Sequence, residues 1–276
     1  MKNLFRKRVC GSCGSHYDPI LKECPFCHAL NEDFSLKHHG QKLFWLDPLK
    51  QISIFLLVVL GTNILAIVLY PLFLSLDKIT SSLIVNSLVY VVILACISIL
   101  IFPKRKELIR CLKDYKSYLW GFVFFFVLVG ASISLSSLAQ SIFNLLYPNS
   151  DIINNTNQSS IELMAKRFPV PSIIIFGLIG PIVEELGYRV GLFNLLKRFN
   201  NIIAYAITAI IFGFIHFNFL APIGPELTYE LLIISNYIVG GIILCIVYDN
   251  FGLPASMTAH VLNNVLSLLL TTLVVQ

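Results

Sequence analysis

Residues 170–196 read VPSIIIFGLIGPIVEELGYRVGLFNLL. Crossing a bilayer core as a helix takes roughly 20 apolar residues, so this run is long enough to span. Yet Glu184, Glu185 and Arg189 sit near its middle. Each ionisable group at bilayer depth costs about 3 kcal/mol, which makes an intramembrane charge a functional candidate by default. The run is therefore a membrane helix built around a polar site.

Comparable apolar runs lie on both sides of it, at about 48–76, 82–102, 119–147, 201–220, 230–248 and 253–275. The chain is 57% hydrophobic and 13% charged, where a soluble domain carries about 25% charged residues, so a soluble fold is excluded. The many β-branched residues do not argue for strands, because lipid requires each segment to satisfy its own backbone. The expected fold is all-α, a polytopic helical membrane bundle of about seven spans preceded by a small zinc ribbon. An eighth segment around Leu43–Trp45 would lie in the interface. The expected organisation is a ribbon over 1–30, a polar linker over 31–47 and a membrane domain over 48–276.

Charge placement agrees with seven spans. With the N-terminus in the cytosol, eight Lys and Arg precede or open the first run, six fall between Pro103 and Tyr118, and two are Lys197 and Arg198. The outer side keeps only Lys78, Lys166 and Arg167. That asymmetry puts the N-terminus inside and the C-terminus outside. The first thirty residues carry no apolar core of a cleavable signal. Short loops and the ribbon are read as belonging to a prokaryotic plasma membrane. The outer stretch Asn149–Phe168, with its NNT and NQS triplets, reads as a polar flexible loop.

Near the N-terminus stand Cys10-Gly-Ser-Cys13 and Cys24-Pro-Phe-Cys27. Two CxxC knuckles at this spacing suit four thiolates around one tetrahedral zinc in a reducing compartment. His16 and His28 are read as spectators, since four cysteines suffice. So small a module has too little core to fold without its metal. Its basic flank fits phospholipid head groups, and a cytosolic protein is a candidate partner; nucleic acid is disfavoured as a partner.

Five ionisable residues lie well inside apolar runs: Glu184, Glu185, Arg189, His216 and His260. Glu185 and Arg189 are four apart and share a helix face, so they can pair. Glu184 is turned about 100° away and is left to face a cavity. Phe212 stands one turn before His216, and His260 shares a face with Asn264.

The series EExxxR, FxxxH and HxxxN on three successive apolar helices resembles the CAAX protease and bacteriocin-processing family, also called CPBP or Abi, over about residues 170–276. Gly187-Tyr188-Arg189-Val190 departs from the Phe-Arg-Gly common there, and bears on substrate fit. The resemblance implies a glutamate-dependent, metal-independent intramembrane peptidase. Glu184 and His216 would activate water, His260 and Asn264 would bind the oxyanion, and Glu185 with Arg189 would support Glu184. Two imidazoles and a carboxylate are also a normal zinc set, so a metal at Glu184, His216 and His260 stays open as the alternative. The implied partners are membrane lipid and a peptide or protein substrate.

Two other functions compete. One is a non-catalytic membrane partner of the same fold, serving immunity or signalling. The other is a proton-coupled transporter, which the absence of internal repeats disfavours. The peptidase reading has a geometric requirement. Counted from the cytosolic ends of upright helices, the site residues spread over about 13 Å at about 1.5 Å per residue. Tilt, or a fifth helix shifted outward, must bring them together.

Overall fold

The computed structural model describes residues 8–10, 13, 15–17, 21, 23–27, 46–150 and 156–273. The linker, apart from its last two residues, and the interfacial segment expected at Leu43–Trp45 lie outside the described residues, as do His28 and the side chain of His16. In the N-terminal module, β1 (Arg8–Val9) pairs antiparallel with β2 (His16–Tyr17).

All seven apolar runs form helices, joined by one polar helix. These are α1 (Pro48–Phe73), α2 (Lys78–Leu112), α3 (Tyr115–Leu146), α4 (Thr156–Arg167), α5 (Pro169–Lys197), α6 (Asn201–Phe214), α7 (Pro225–Phe251) and α8 (Leu253–Leu273). The starts follow local chemistry. Asp47 caps α1 by accepting from Lys50 N at 3.0 Å, with Pro48 in the first turn, where a missing N–H costs nothing. Asp77 caps α2 through the N–H groups of Ile79 and Thr80. Hydrogen bonds from Thr80, reinforced by the Arg167 guanidinium at 2.6 Å, hold the Asp77 carboxyl below the usual carboxylate range.

Six of the apolar helices, at 21 to 35 residues, are long enough to cross a membrane. The expected fifth span is shorter than its hydropathy indicates. The apolar run reaches residue 220, but α6 ends at Phe214 after 14 residues, and Ile215 and His216 form a turn. At about 1.5 Å per residue, α6 falls well short of the roughly 30 Å core.

A second difference concerns the outer stretch read as a flexible loop. From Thr156 it is helical. Ile161, Met164, Ala165 and Phe168 recur at helical spacing and give this polar segment one apolar stripe. Met164 and Ala165 are buried on that stripe against Leu83, Ile175, Phe176 and Leu268.

The helix carrying the polar cluster is the central one. Of the most apolar window of α5, 56% is buried, against 11% for α1 and α3. The first half of α5 packs on α8 and its second half on α1. Helix α3 packs on both α7 and α8, and α6 packs on α7. Outward-facing Leu60, Ile64, Ile67, Phe122, Phe126 and Ile133 are exposed on α1 and α3, as a lipid-facing surface requires. Gly187 sets the α1–α5 distance: a Cβ there would stand 2.7 Å from the Val58 side chain. Val190, where the resemblance has a glycine, is fully buried.

Candidate active site

Within α5, the α-helical stretch Gly180–Glu185 lies between two π-helical segments, Ile173–Ile179 and Leu186–Phe193. Such widened turns cluster at functional sites, because they re-aim side chains that a regular helix would hold in fixed register. Glu185 and Arg189 still meet: Arg189 Nε is 3.3 Å from Glu185 Oε2, and both side chains are wholly buried. Arg189 also donates through Nη2 to the Gly241 carbonyl at 3.4 Å and lies over the Phe212 ring at 4.9 Å. Neither Glu185 nor Arg189 reaches the cavity, whereas Glu184, on the adjacent face, lines it.

That cavity has a volume of about 700 Å³ and is bounded by Glu184, Phe212, His216, His260, Asn263 and Asn264, among others. His260 joins the two glutamates. Its Nδ1 is 3.0 Å from Glu185 Oε1, and its Nε2 is 3.7 Å from Glu184 Oε2. Asn264, one turn further along α8, donates from Nδ2 to the Phe176 carbonyl at 3.3 Å, which leaves its second amide hydrogen available.

His216 reaches the same cavity because α6 stops early. His216 stands in the turn after Phe214, and it and Glu184 line the one cavity. Gly213 allows this close approach to α7, since a Cβ there would fall 2.4 Å from Ile238 Cγ1. His216 Nδ1 pairs with the Phe212 carbonyl at 2.8 Å. A carbonyl only accepts, so Nδ1 carries the hydrogen, and in the neutral imidazole Nε2 then keeps its lone pair. The imidazole lies flat on the Tyr237 ring, with centroids 4.4 Å apart and planes 11° apart.

Two supporting residues escaped sequence reasoning. Tyr237 is an aromatic on an apolar helix, and nothing in its surroundings marks it. Glu230 was placed at the edge of a span, but α7 begins at Pro225 and encloses it, leaving Glu230 3% exposed. Its Oε2 accepts from Asn218 N at 3.3 Å, two residues beyond His216. Glu230 and Tyr237 are seven apart, two helical turns, so one face of α7 holds the turn that carries His216.

Residues 166–266 match the family model described as type II CAAX prenyl endopeptidase, Rce1-like. This part of the chain is similar to the Rce1-like family. The Rce1-like segment opens at the end of α4, runs through α5, α6 and α7 into α8, and contains Glu184, Glu185, Arg189, His216, His260 and Asn264. That likeness supports, in general terms, a membrane peptidase of the CAAX type. No curated protein and no solved structure matches the chain.

A second chemical centre lies in the N-terminal module. Cys10 Sγ and Cys27 Sγ are 3.5 Å apart, Cys13 Sγ and Cys24 Sγ are 3.7 Å apart, and all four sulfurs fall within 4.8 Å of one another. Metal–sulfur bonds of about 2.3 Å place tetrahedral sulfurs about 3.8 Å apart, so the four residues fit a metal ion. Hydrogen bonds from Ser15 lower the Cys13 thiol to about 6, which favours the thiolate that a metal needs. Among the described residues, no other group of three or more His, Cys, Asp or Glu side chains is so compact.

Proposed function

We propose that the chain is an intramembrane endopeptidase in which Glu184 and His216 activate a water molecule. The observation that carries this reading is the facing pair Glu184 Oε2 and His260 Nε2, 3.7 Å apart at the wall of a cavity that His216 and Asn264 also line. Water held between the Glu184 carboxylate and the His216 Nε2 lone pair gives its proton to Glu184. Its oxygen then attacks the scissile carbonyl. The developing oxyanion accepts from His260 Nε2–H and from the free amide hydrogen of Asn264. As the tetrahedral intermediate collapses, the C–N bond breaks and Glu184 returns the proton to the leaving amine.

His260 already donates Nδ1–H to Glu185, so donation from Nε2 makes it an imidazolium. Arg189 and His260 then balance Glu184 and Glu185, leaving the buried cluster neutral, as low dielectric favours. This role needs no catalytic metal. The metal in the N-terminal module is zinc in this reading, structural in role, and the module faces the cytosol of a prokaryotic cell, where a cytosolic protein is its candidate partner. The ribbon over 1–30, the linker and the membrane domain over 48–276 are its organisation.

Cleavage of a peptide library by the purified protein in lipid tests the reading. Activity lost in Glu184→Gln and kept in a strong chelator supports it. No cleavage of any member in native lipid rejects it in favour of a non-catalytic membrane partner.

A further inference from the structure

Away from the glutamates, the cavity is unusually polar for its depth. Asn63 on α1, Asn86 on α2 and Asn236 on α7 all line it; Asn63, which is exposed, and Asn236 stand near the middle of their helices, and Asn86 stands in the first third of α2. Asn63 donates from Nδ2 to the Val59 carbonyl at 2.7 Å, and Asn86 donates from Nδ2 to the Ser82 carbonyl at 2.8 Å. Both partners are carbonyl oxygens that only accept, so the amide orientation is forced: nitrogen toward the helix, oxygen away from it. Neither Oδ1 accepts a hydrogen bond from a described residue. Asn236 likewise spends its Nδ2 on Ser132 and Ser136, at 3.1 and 3.3 Å.

The walls thus present hydrogen-bond acceptors, two of them fixed in orientation, beside the Glu184 carboxylate. An acceptor buried by a ligand that offers no donor loses its hydration for nothing. An isoprenoid chain has no donor to offer, whereas an extended peptide backbone presents N–H groups at regular intervals on alternate sides. We infer that this cavity holds the backbone of an extended, unprenylated peptide, with Asn63 and Asn86 accepting hydrogen bonds from its amide N–H groups. The inference rests on the peptidase reading for the bond that is cut, and departs from the prenylated substrate named in the family's description.

The test uses the full-length chain in lipid nanodiscs and a synthetic peptide pool. Each member is made with a free cysteine, with a farnesylated cysteine, and with single backbone N-methyl groups. Binding is measured on Glu184→Gln protein, so that recognition is read apart from hydrolysis. The free peptide is expected to bind at least as tightly as the farnesylated one. Asn63→Leu and Asn86→Leu should each weaken it roughly tenfold, the scale of one lost buried hydrogen bond. N-methylation at the matching position should weaken binding to the parent protein equally and add nothing in the variant. Because N-methylation leaves the protein unaltered, that arm holds even if a substitution disturbs folding. Farnesylation that tightens binding tenfold or more, with no effect of either asparagine variant, overturns the inference. Asparagine-dependent binding without hydrolysis by the native chain supports the subsite and sinks only the catalytic reading. No binding of any member overturns both.

Discussion

Glu185 Oε1 holds His260 Nδ1 at 3.0 Å while its other oxygen faces Arg189 Nε at 3.3 Å, so one buried carboxylate fixes groups on two sides. Glu184, the neighbouring residue, meets His260 only through Nε2, at 3.7 Å, and faces the cavity. Adjacent residues of one type are thereby divided between the packed interior and, in the proposed mechanism, the reaction itself.

Glu185→Gln should cost stability as well as rate. It leaves a fully buried guanidinium without its counter-charge, a loss of about 3–5 kcal/mol. A clear drop in the thermal midpoint of the detergent-solubilised protein is the expected result, and an unchanged midpoint would contradict the support role. Arg189→Lys should behave alike, since an ammonium cannot bridge Glu185 and the Gly241 carbonyl in the same geometry.

Glu184→Gln should do the reverse. The side chain is 17% exposed and borders the cavity, so the isosteric amide leaves the fold intact. Removing the base should lower kcat by about 10²–10⁴-fold. Rate and thermal midpoint measured on the same preparation decide the matter, because a shared fall in both would make Glu184 structural.

Asn264→Ala should lower kcat by about 10²–10³-fold with KM little changed, as loss of one oxyanion donor does. The bond from Nδ2 to the Phe176 carbonyl is long, at 3.3 Å, so little stability goes with it. A raised KM at constant kcat would instead make Asn264 a contact for the ground-state substrate.

Tyr237→Leu removes the ring on which His216 lies, and Glu230→Gln weakens the hold on the turn after it. Neither residue moves a proton in the proposed mechanism. A base misplaced by about 1 Å can cost about 10²-fold, so each change should reduce kcat while leaving KM near its starting value. Tyr237→Phe keeps the stacked ring and should restore the rate. Failure of that conservative variant to rescue would show that the hydroxyl, rather than the stacking, matters.

The helical architecture was legible because lipid leaves so few alternatives. A run of about 20 apolar residues with internal backbone bonding has one stable form. Hydropathy measures the environment of residues and not their conformation, which is why it carried the fifth run past Phe214 into a turn of equally apolar residues. The helical spacing of Ile161, Met164, Ala165 and Phe168 was readable in principle, but it was outweighed by the Asn- and Ser-rich composition around it. Glu184, Glu185, Arg189, His216 and His260 stood out because charge at that depth is expensive. Tyr237 did not, because an aromatic there is unremarkable in price and position. That His216 lines the cavity with Glu184 goes with where α6 ends, which no periodicity encodes.

Metal removal should separate the two centres. Among the described residues of the N-terminal module only Cys10, Tyr17 and Cys24 are buried, so its order should depend on an ion held by the four thiolates. Cys24→Ser should abolish metal binding, measured by elemental analysis of the purified protein, and should make the first residues susceptible to protease. The membrane helices pack through contacts of their own, and their thermal midpoint should stay where it was. Peptide cleavage should survive both this substitution and a strong chelator if Glu184 acts on water directly. A chelator that stops cleavage in the parent and in Cys24→Ser alike would point to a second ion at Glu184, His216 and His260. The comparison is decisive because the substitution has already removed the N-terminal metal, leaving the membrane site as the only remaining target for the chelator among the described residues.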